Sequence, residues 1–193
     1  MTAVISPSTA ERILAAAAQV TVESGWSGVT MAAIAGRVGV SRQTVYNEWG
    51  SRERVAEAMV LRELAAFLAE VDAGFDAFPD DLESAVTEAV RRVCVLAASN
   101  PLLRAIVTAT HGAGTELIPL LTTRADVVIA TARGRIGDRL TAYVSTSSDT
   151  VDVVADVLVR TVLSHVMQPD STDELPRAMG WLAGRLLVED VPA

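Results

Sequence analysis

The sequence predicts an all-α protein of about nine helices, and three observations carry that prediction. Half of the 193 residues are apolar while only 4% are aromatic. The apolar positions recur at intervals of three and four instead of alternating, which is the period of a helix with one buried face. Several of these runs begin just after a Ser or Thr able to cap a helix N-terminus.

The first helix is expected from about Ser8 to Ser24. Ser8 and Glu11 have the spacing of a capping box. Ala10, Ile13, Leu14, Ala17, Val20 and Thr21 make one face, Gly25 stops the helix, and Trp26 plugs the core from the following turn. Thr30 caps a short second helix through about Arg37, with Ile34 and Val38 facing inward and Gly39 ending it. Ser41 caps a third, from Arg42 to about Asn47. Two short helices joined by Gly39-Val40-Ser41 fit a helix-turn-helix, in which a tight turn sets the second helix across the first. Ser51 caps a fourth, longer helix reaching about Ala73. Further helices are expected over about Asp81 to Ala98, from Asn100-Pro101 as N-cap and first position, from near Pro119 to about Val144, over about Thr150 to Met167, and a last one ending near Val188. Pro176 leaves the first turn of the last helix open. Segments 111–115, 145–150 and 168–174 read as a joint and two polar loops. The expected division is a helix-turn-helix domain over 1–55 and a helical domain over 56–193.

Composition narrows the function. There is no lysine, and the formal net charge is −8. Residues 1–55 hold five Arg and four acids, whereas the remainder holds eleven Arg and twenty acids. Only the N-terminal part escapes the acidic bias, so only it can approach a polyanion. A single cysteine, Cys94, forms no intramolecular disulfide and fits a reducing cytoplasm. The start MTAVISPSTAER has no basic segment leading into an apolar one, and charges interrupt every apolar stretch, so neither signal peptide nor membrane span is expected. Two His and one Cys, with no spaced partners, offer neither a metal site nor a catalytic constellation. Neither cofactor nor enzymatic activity is expected.

The stretch GVSRQTVYNEWGSRERV, residues 39–55, is polar and Arg-bearing within this acidic chain. Residues 8–55 resemble the DNA-binding domain of TetR-type transcriptional regulators. The likeness lies in ERILAAAAQVTVESGWSGVT, MAAIAGRVGVS and RQTVYNEWGSRERV. Thr30, Gly39-Val40-Ser41, Tyr46, Trp49 and Ser51-Arg52-Glu53 occupy the family's pattern positions, with Trp49 where Phe is usual and Arg52 where Lys is usual.

The resemblance implies that Arg42, Gln43 and Thr44 meet base edges from the start of a recognition helix, where Arg suits guanine and Gln suits adenine. Tyr46, Asn47, Arg52 and the Thr30 hydroxyl are placed for phosphates. With the capping Ser41, these complete the expected DNA-binding set. It also implies a homodimer on a palindromic operator in double-stranded DNA, with repression as the family habit. Candidate interface stripes are Val154, Val157, Leu158, Thr161, Val162 and His165 on one helix, and Leu175, Met179, Leu182, Leu186 and Trp181 on the next. These stripes could equally face their own core.

A small effector is expected within the second domain. The apolar candidates are Leu64, Phe67, Leu68, Val71, Val93, Leu96, Ile106, Ile118, Leu121 and Val128, with a polar handle from Thr110, His111 or Arg124. The segment SRQTVYNEWGSR is similar to that of actinobacterial regulators linked to lipid and alkane metabolism, which implies a fatty-acyl or other long apolar effector. The alternative is a helical interaction module whose helix-turn-helix is purely structural.

Overall fold

The computed structural model describes residues 7–110, 125–144, 147–168 and 174–188, the side chains of 106–110 and 125 excepted. Among these residues the chain is all-helical, as expected. The elements are α1 (Thr9–Ser24), a 3₁₀ turn (Trp26–Gly28), α2 (Met31–Val38), α3 (Arg42–Trp49), α4 (Arg52–Ala77), α5 (Leu82–Ser99), α6 (Pro101–Thr110), α7 (Ala125–Thr141), α8 (Ser148–Met167) and α9 (Leu175–Leu187).

Caps set most of the starts. Ser8 Oγ accepts from the Glu11 N–H while the Glu11 carboxylate accepts from the Ser8 N–H, so the predicted capping box is formed. Hydrogen bonds to Ser8 hold the Glu11 pKa below its ordinary value. Asp81 caps α5 by accepting from the Ser84 N–H and hydroxyl, which lowers its own pKa. Ser147 caps α8, so that helix starts ahead of Thr150.

Two compact units are distinguishable, one within Met1–Glu63 and Pro101–Thr123, the other within Leu64–Asn100 and Arg124–Ala193. These units do not divide at 55/56. The reason is apolar packing: Val55, Ala56 and Met59 of α4 and Leu102 of α6 are buried in the same cluster as α1, α2 and α3. Within that cluster Ile13, Ile34, Val29 and Val45 are fully buried. Each such side chain contributes about 1.5–3 kcal/mol of transfer free energy.

The second unit packs α4, α5, α7, α8 and α9 around Phe75, Val86, Leu140, Val154 and Leu158. Here α4 runs past the expected Ala73 to Ala77. Gly74 does not break it, because the glycine is there for close approach: a Cβ on Gly74 would sit 2.4 Å from the Ala89 Cα on α5. Helix α7 ends at Thr141 instead of Val144, and the Tyr143 hydroxyl then reaches the carbonyls of Phe75 and Phe78 at 3.0 and 2.9 Å. Its expected start near Pro119 lies outside the described residues. Pro176 sits in the first turn of α9, where no intrahelical N–H is required.

Candidate nucleic-acid interface

The helix-turn-helix is built from two caps and one glycine. Thr30 Oγ1 accepts from the Ala33 N–H at 3.0 Å and starts α2. Gly39 ends it in the left-handed region, at φ 77° and ψ 35°, where a side chain would be strained. Its N–H and that of Val40 both reach the Ala35 carbonyl. Arg12 adds a third tie, donating from α1 to the Val38 carbonyl at 2.7 Å. Ser41 then caps α3: its Oγ accepts from the Thr44 N–H at 3.0 Å and lies 2.9 Å from the Thr44 Oγ1.

Within α3, Val45 is fully buried and anchors the helix to the first core. Arg42, Gln43, Tyr46 and Asn47 are exposed, so one apolar residue inward turns four chemistry-bearing side chains outward. Tyr46 retains 41% of its accessible surface. Gln43 Nε2 donates to Asn47 Oδ1 at 2.8 Å. Thr30 and Ser41 are also exposed, with their oxygens already accepting cap hydrogen bonds.

Arg52 is placed differently from its expected role as a phosphate ligand. Its guanidinium lies 4.6 Å from the centre of the Trp26 ring and donates to the Trp26 carbonyl. Trp26 is only 8% exposed, as its role of core plug requires. Arg52 therefore joins the start of α4 to the turn after α1. Trp49 is half-buried against the same core.

Arg37, which the sequence left unassigned, forms a two-pronged ion pair with Glu23. That pairing holds the Glu23 carboxyl below, and the Arg37 guanidinium above, their ordinary pKa values. The N-terminal excess of arginine thus serves folding in large part. Arg12, Arg37 and Arg52 hold elements together, while Arg42 has no hydrogen-bond or ion-pair partner among the described residues.

The expected effector lining lies in several environments. Val71 and Val93 are buried in the second core, and Phe67 packs against it. Leu64, Leu68, Leu96 and Val128 are half-buried. The side chains of Ile106 and Thr110, and residues His111, Ile118, Leu121 and Arg124 entirely, lie outside the described residues. A surface concavity of about 380 Å³ is lined instead by Phe78, Asp81, Glu83, Ser84, Thr87 and Glu88, none of which the sequence reading assigned. Those groups are mostly acidic or hydroxyl-bearing, which does not suit an apolar ligand.

The two expected interface stripes divide by burial. Val154, Leu158 and Met179 are 1%, 3% and 9% exposed, so they pack in their own protomer's core and are removed from the candidate interface. Thr161, Val162, His165, Leu175 and Leu182 are half-buried, with Val162 and Leu175 packed against that core. Val157 and Leu186 are exposed, together with Val153 and Trp181, at 63% and 55% for the last two. Of these four exposed apolar groups, Val157, Leu186 and Trp181 belong to the expected stripes and Val153 is an addition to them.

Comparison with known proteins agrees with this architecture. The model for bacterial regulatory proteins of the tetR family matches residues 13–59, and that for the bacterial tetracyclin repressor C-terminal domain matches residues 81–185. The HTH-type transcriptional regulator AlkX of Mycobacterium tuberculosis is 31% identical over 173 residues, covering 86% of this chain and 81% of the relative. Among solved structures, the TetR family repressor AlkX from Dietzia sp. strain DQ12-45-1b, implicated in biodegradation of n-alkanes, superposes with a TM-score of 0.72 at 26% identity, covering 94% of this chain and 98% of that one. The multidrug binding protein EbrR, solved with imidazole, shares the fold with a TM-score of 0.68 at 20% identity, covering 97% and 98%. The chain belongs to the TetR family of bacterial transcriptional regulators, and its work is DNA-binding regulation, not enzymatic catalysis.

Proposed function

We propose that this protein is a repressor that binds a palindromic operator as a homodimer and releases it when a largely apolar, fatty-acyl or lipid-like effector binds. The observation that carries the reading is the face of α3. Arg42, Gln43, Tyr46 and Asn47 point outward from a helix fixed by the buried Val45 and the Ser41 cap. Arg42, Gln43 and Thr44 suit base edges, while Thr30, Ser41, Tyr46 and Asn47 supply polar groups for positioning on the sugar-phosphate backbone.

One such helix buries too little surface for specific binding, so pairing about a two-fold axis is required. Val153, Val157, Trp181 and Leu186 are the exposed apolar groups on α8 and α9 available to a second copy. Such a four-helix contact is isologous. The division into a DNA-binding part over 1–55 and an effector-binding, dimerising part over 56–193 belongs to this functional reading. Work on DNA places the protein in the cytoplasm.

The effector class is supported by the description of the Dietzia AlkX as a repressor implicated in n-alkane biodegradation. It is also supported by the apolar character of Leu64, Phe67, Leu68, Leu96 and Val128. α4 is one continuous helix from Arg52 to Ala77, so it carries side chains of both functions. An effector that prefers one setting of α4 weakens DNA binding by its differential affinity and by no more.

A gel-shift titration of the full chain on its own upstream DNA tests this reading, repeated with long-chain fatty acids, acyl thioesters and n-alkanes. Retardation of a discrete DNA segment, reversed by one of these classes, is expected. Retardation unaffected by all of them would overturn the effector class. Absence of any sequence-specific complex would favour a helical interaction module.

A further inference from the structure

Gln43 and Asn47 stand one helical turn apart on the exposed face of α3, joined by the 2.8 Å hydrogen bond from Gln43 Nε2 to Asn47 Oδ1. Spacing of i, i+4 sets two side chains side by side on a helix. A primary amide nitrogen carries two N–H bonds. Asn47 takes one of them. The second N–H of Gln43, together with its Oε1, then forms a donor–acceptor edge held in one plane.

That edge is the one through which Gln reads adenine in the major groove, donating to N7 and accepting from the N6 amino group. An unrestrained Gln offers the same edge in either order, because its amide can turn over and its three side-chain torsions are free. Here Asn47 turns its Oδ1 toward Gln43, and the Gln43 amide is held with Nε2 on that side. The bond is weak on a solvated helix and strengthens once base edges displace water around it. The backbone beneath is fixed by Val45 and by the Ser41 cap, so the pair is carried on a set frame.

We infer that Asn47 is a positioning residue, which holds the Gln43 amide in the orientation that selects one adenine·thymine pair in each half-site. The inference rests on the reading of α3 as a recognition helix, and it replaces the phosphate role that the motif alone suggests for Asn47. The carboxamide nitrogen of Asn47 remains available for a backbone contact, but the selectivity passes through Gln43.

The test uses the full-length protein and its footprinted operator. Binding is measured by fluorescence anisotropy against a panel in which each base pair is exchanged in turn, and against operators carrying 7-deazaadenine, which lacks the N7 acceptor. The wild type is expected to prefer adenine at one half-site position by about tenfold or more, and to lose that preference with 7-deazaadenine there. Gln43→Ala and Asn47→Ala should each abolish preference at that position alone, and the double variant should lose no more than either single one. Asn47→Asp keeps an acceptor for Gln43. It should retain the adenine preference while binding every sequence less tightly, through charge repulsion with the phosphates. Both side chains are exposed, so circular dichroism and melting of all variants should match the wild type.

If Asn47→Ala keeps the adenine preference and weakens binding to every operator by one common factor, Asn47 is a backbone contact and the inference is wrong. If the wild type protects no discrete sequence at all, the recognition-helix reading itself fails, and the inference falls with it.

Discussion

The guanidinium of Arg52 lies 4.6 Å from the ring centre of Trp26 and donates to that residue's carbonyl. It fastens the first turn of α4 to the turn behind α1. Arg52→Ala should therefore lower stability by about 2–5 kcal/mol, the sum expected of a partly buried cation–π contact and one charge-assisted hydrogen bond. Urea denaturation reads this directly. An unchanged midpoint with a reduced salt dependence of DNA binding would instead make Arg52 chiefly a phosphate ligand.

Ser41→Ala should cost about 1 kcal/mol of stability by removing the acceptor for the Thr44 N–H. Specific DNA binding should fall further than stability does, because the frayed turn is the one that presents Arg42 and Gln43. Comparing denaturation with anisotropy on one operator separates the two losses.

The glycines of the second unit should respond in opposite directions. A Cβ at Gly180 would lie 2.1 Å from Thr87 Oγ1 and 2.5 Å from the Glu83 carbonyl oxygen, so Gly180→Ala forces α9 off α5. A loss of about 1–3 kcal/mol is expected. Gly134, in α7, has nothing among the described residues within 4 Å of such a Cβ. Gly134→Ala should stabilise by about 0.5–1 kcal/mol through helix propensity alone. Thermal melts of the two variants side by side check the contrast.

Charge placed on α9 should act according to the face it falls on. Trp181→Glu introduces a carboxylate at an exposed apolar position and should yield a folded monomer, seen by sedimentation, with helicity retained. Met179→Glu buries the same charge in the core and should unfold the second unit, costing about 3 kcal/mol or more. A dimeric Trp181→Glu protein would remove this face from the proposed interface.

Acid should weaken the fold through its arginine-paired carboxylates. Glu88 accepts from Arg91 and Arg92, and Glu23 from Arg37, and these hydrogen bonds hold both carboxyls below the ordinary glutamate pKa. A carboxylate whose folded pKa is depressed contributes stability above its unfolded pKa and loses it as pH falls through the folded value. Unfolding midpoints should be nearly level from about pH 7 to about pH 5 and decline below about 4.3. Glu88→Gln should reduce that acid decline only modestly, since both arginine partners are solvated.

Which parts of this were legible in the sequence follows from how local each cause is. The caps at Ser8, Thr30 and Ser41, the stop at Gly39 and the inward Val45 act over a few residues, so the outward set Arg42, Gln43, Tyr46 and Asn47 could be read directly. Arg52 could not, because its partner Trp26 is distant in sequence and Lys or Arg serves the motif alike. The stripe on α8 stayed open for a different reason. Val153, Val154, Val157 and Leu158 are apolar on both sides of one helix, so periodicity does not say which stripe meets its own core. The close packing at Gly74 and Gly180 is invisible locally, since a helical glycine reads as a weakness until its neighbour is known.

The most direct test is footprinting of the purified protein on its own promoter region, with a salt titration. The account predicts a protected palindrome and an association constant that falls steeply with salt, as counterions are released from contacted phosphates. Weak binding, indifferent to sequence and protecting no discrete site there or in DNA selected from random sequence, would contradict it.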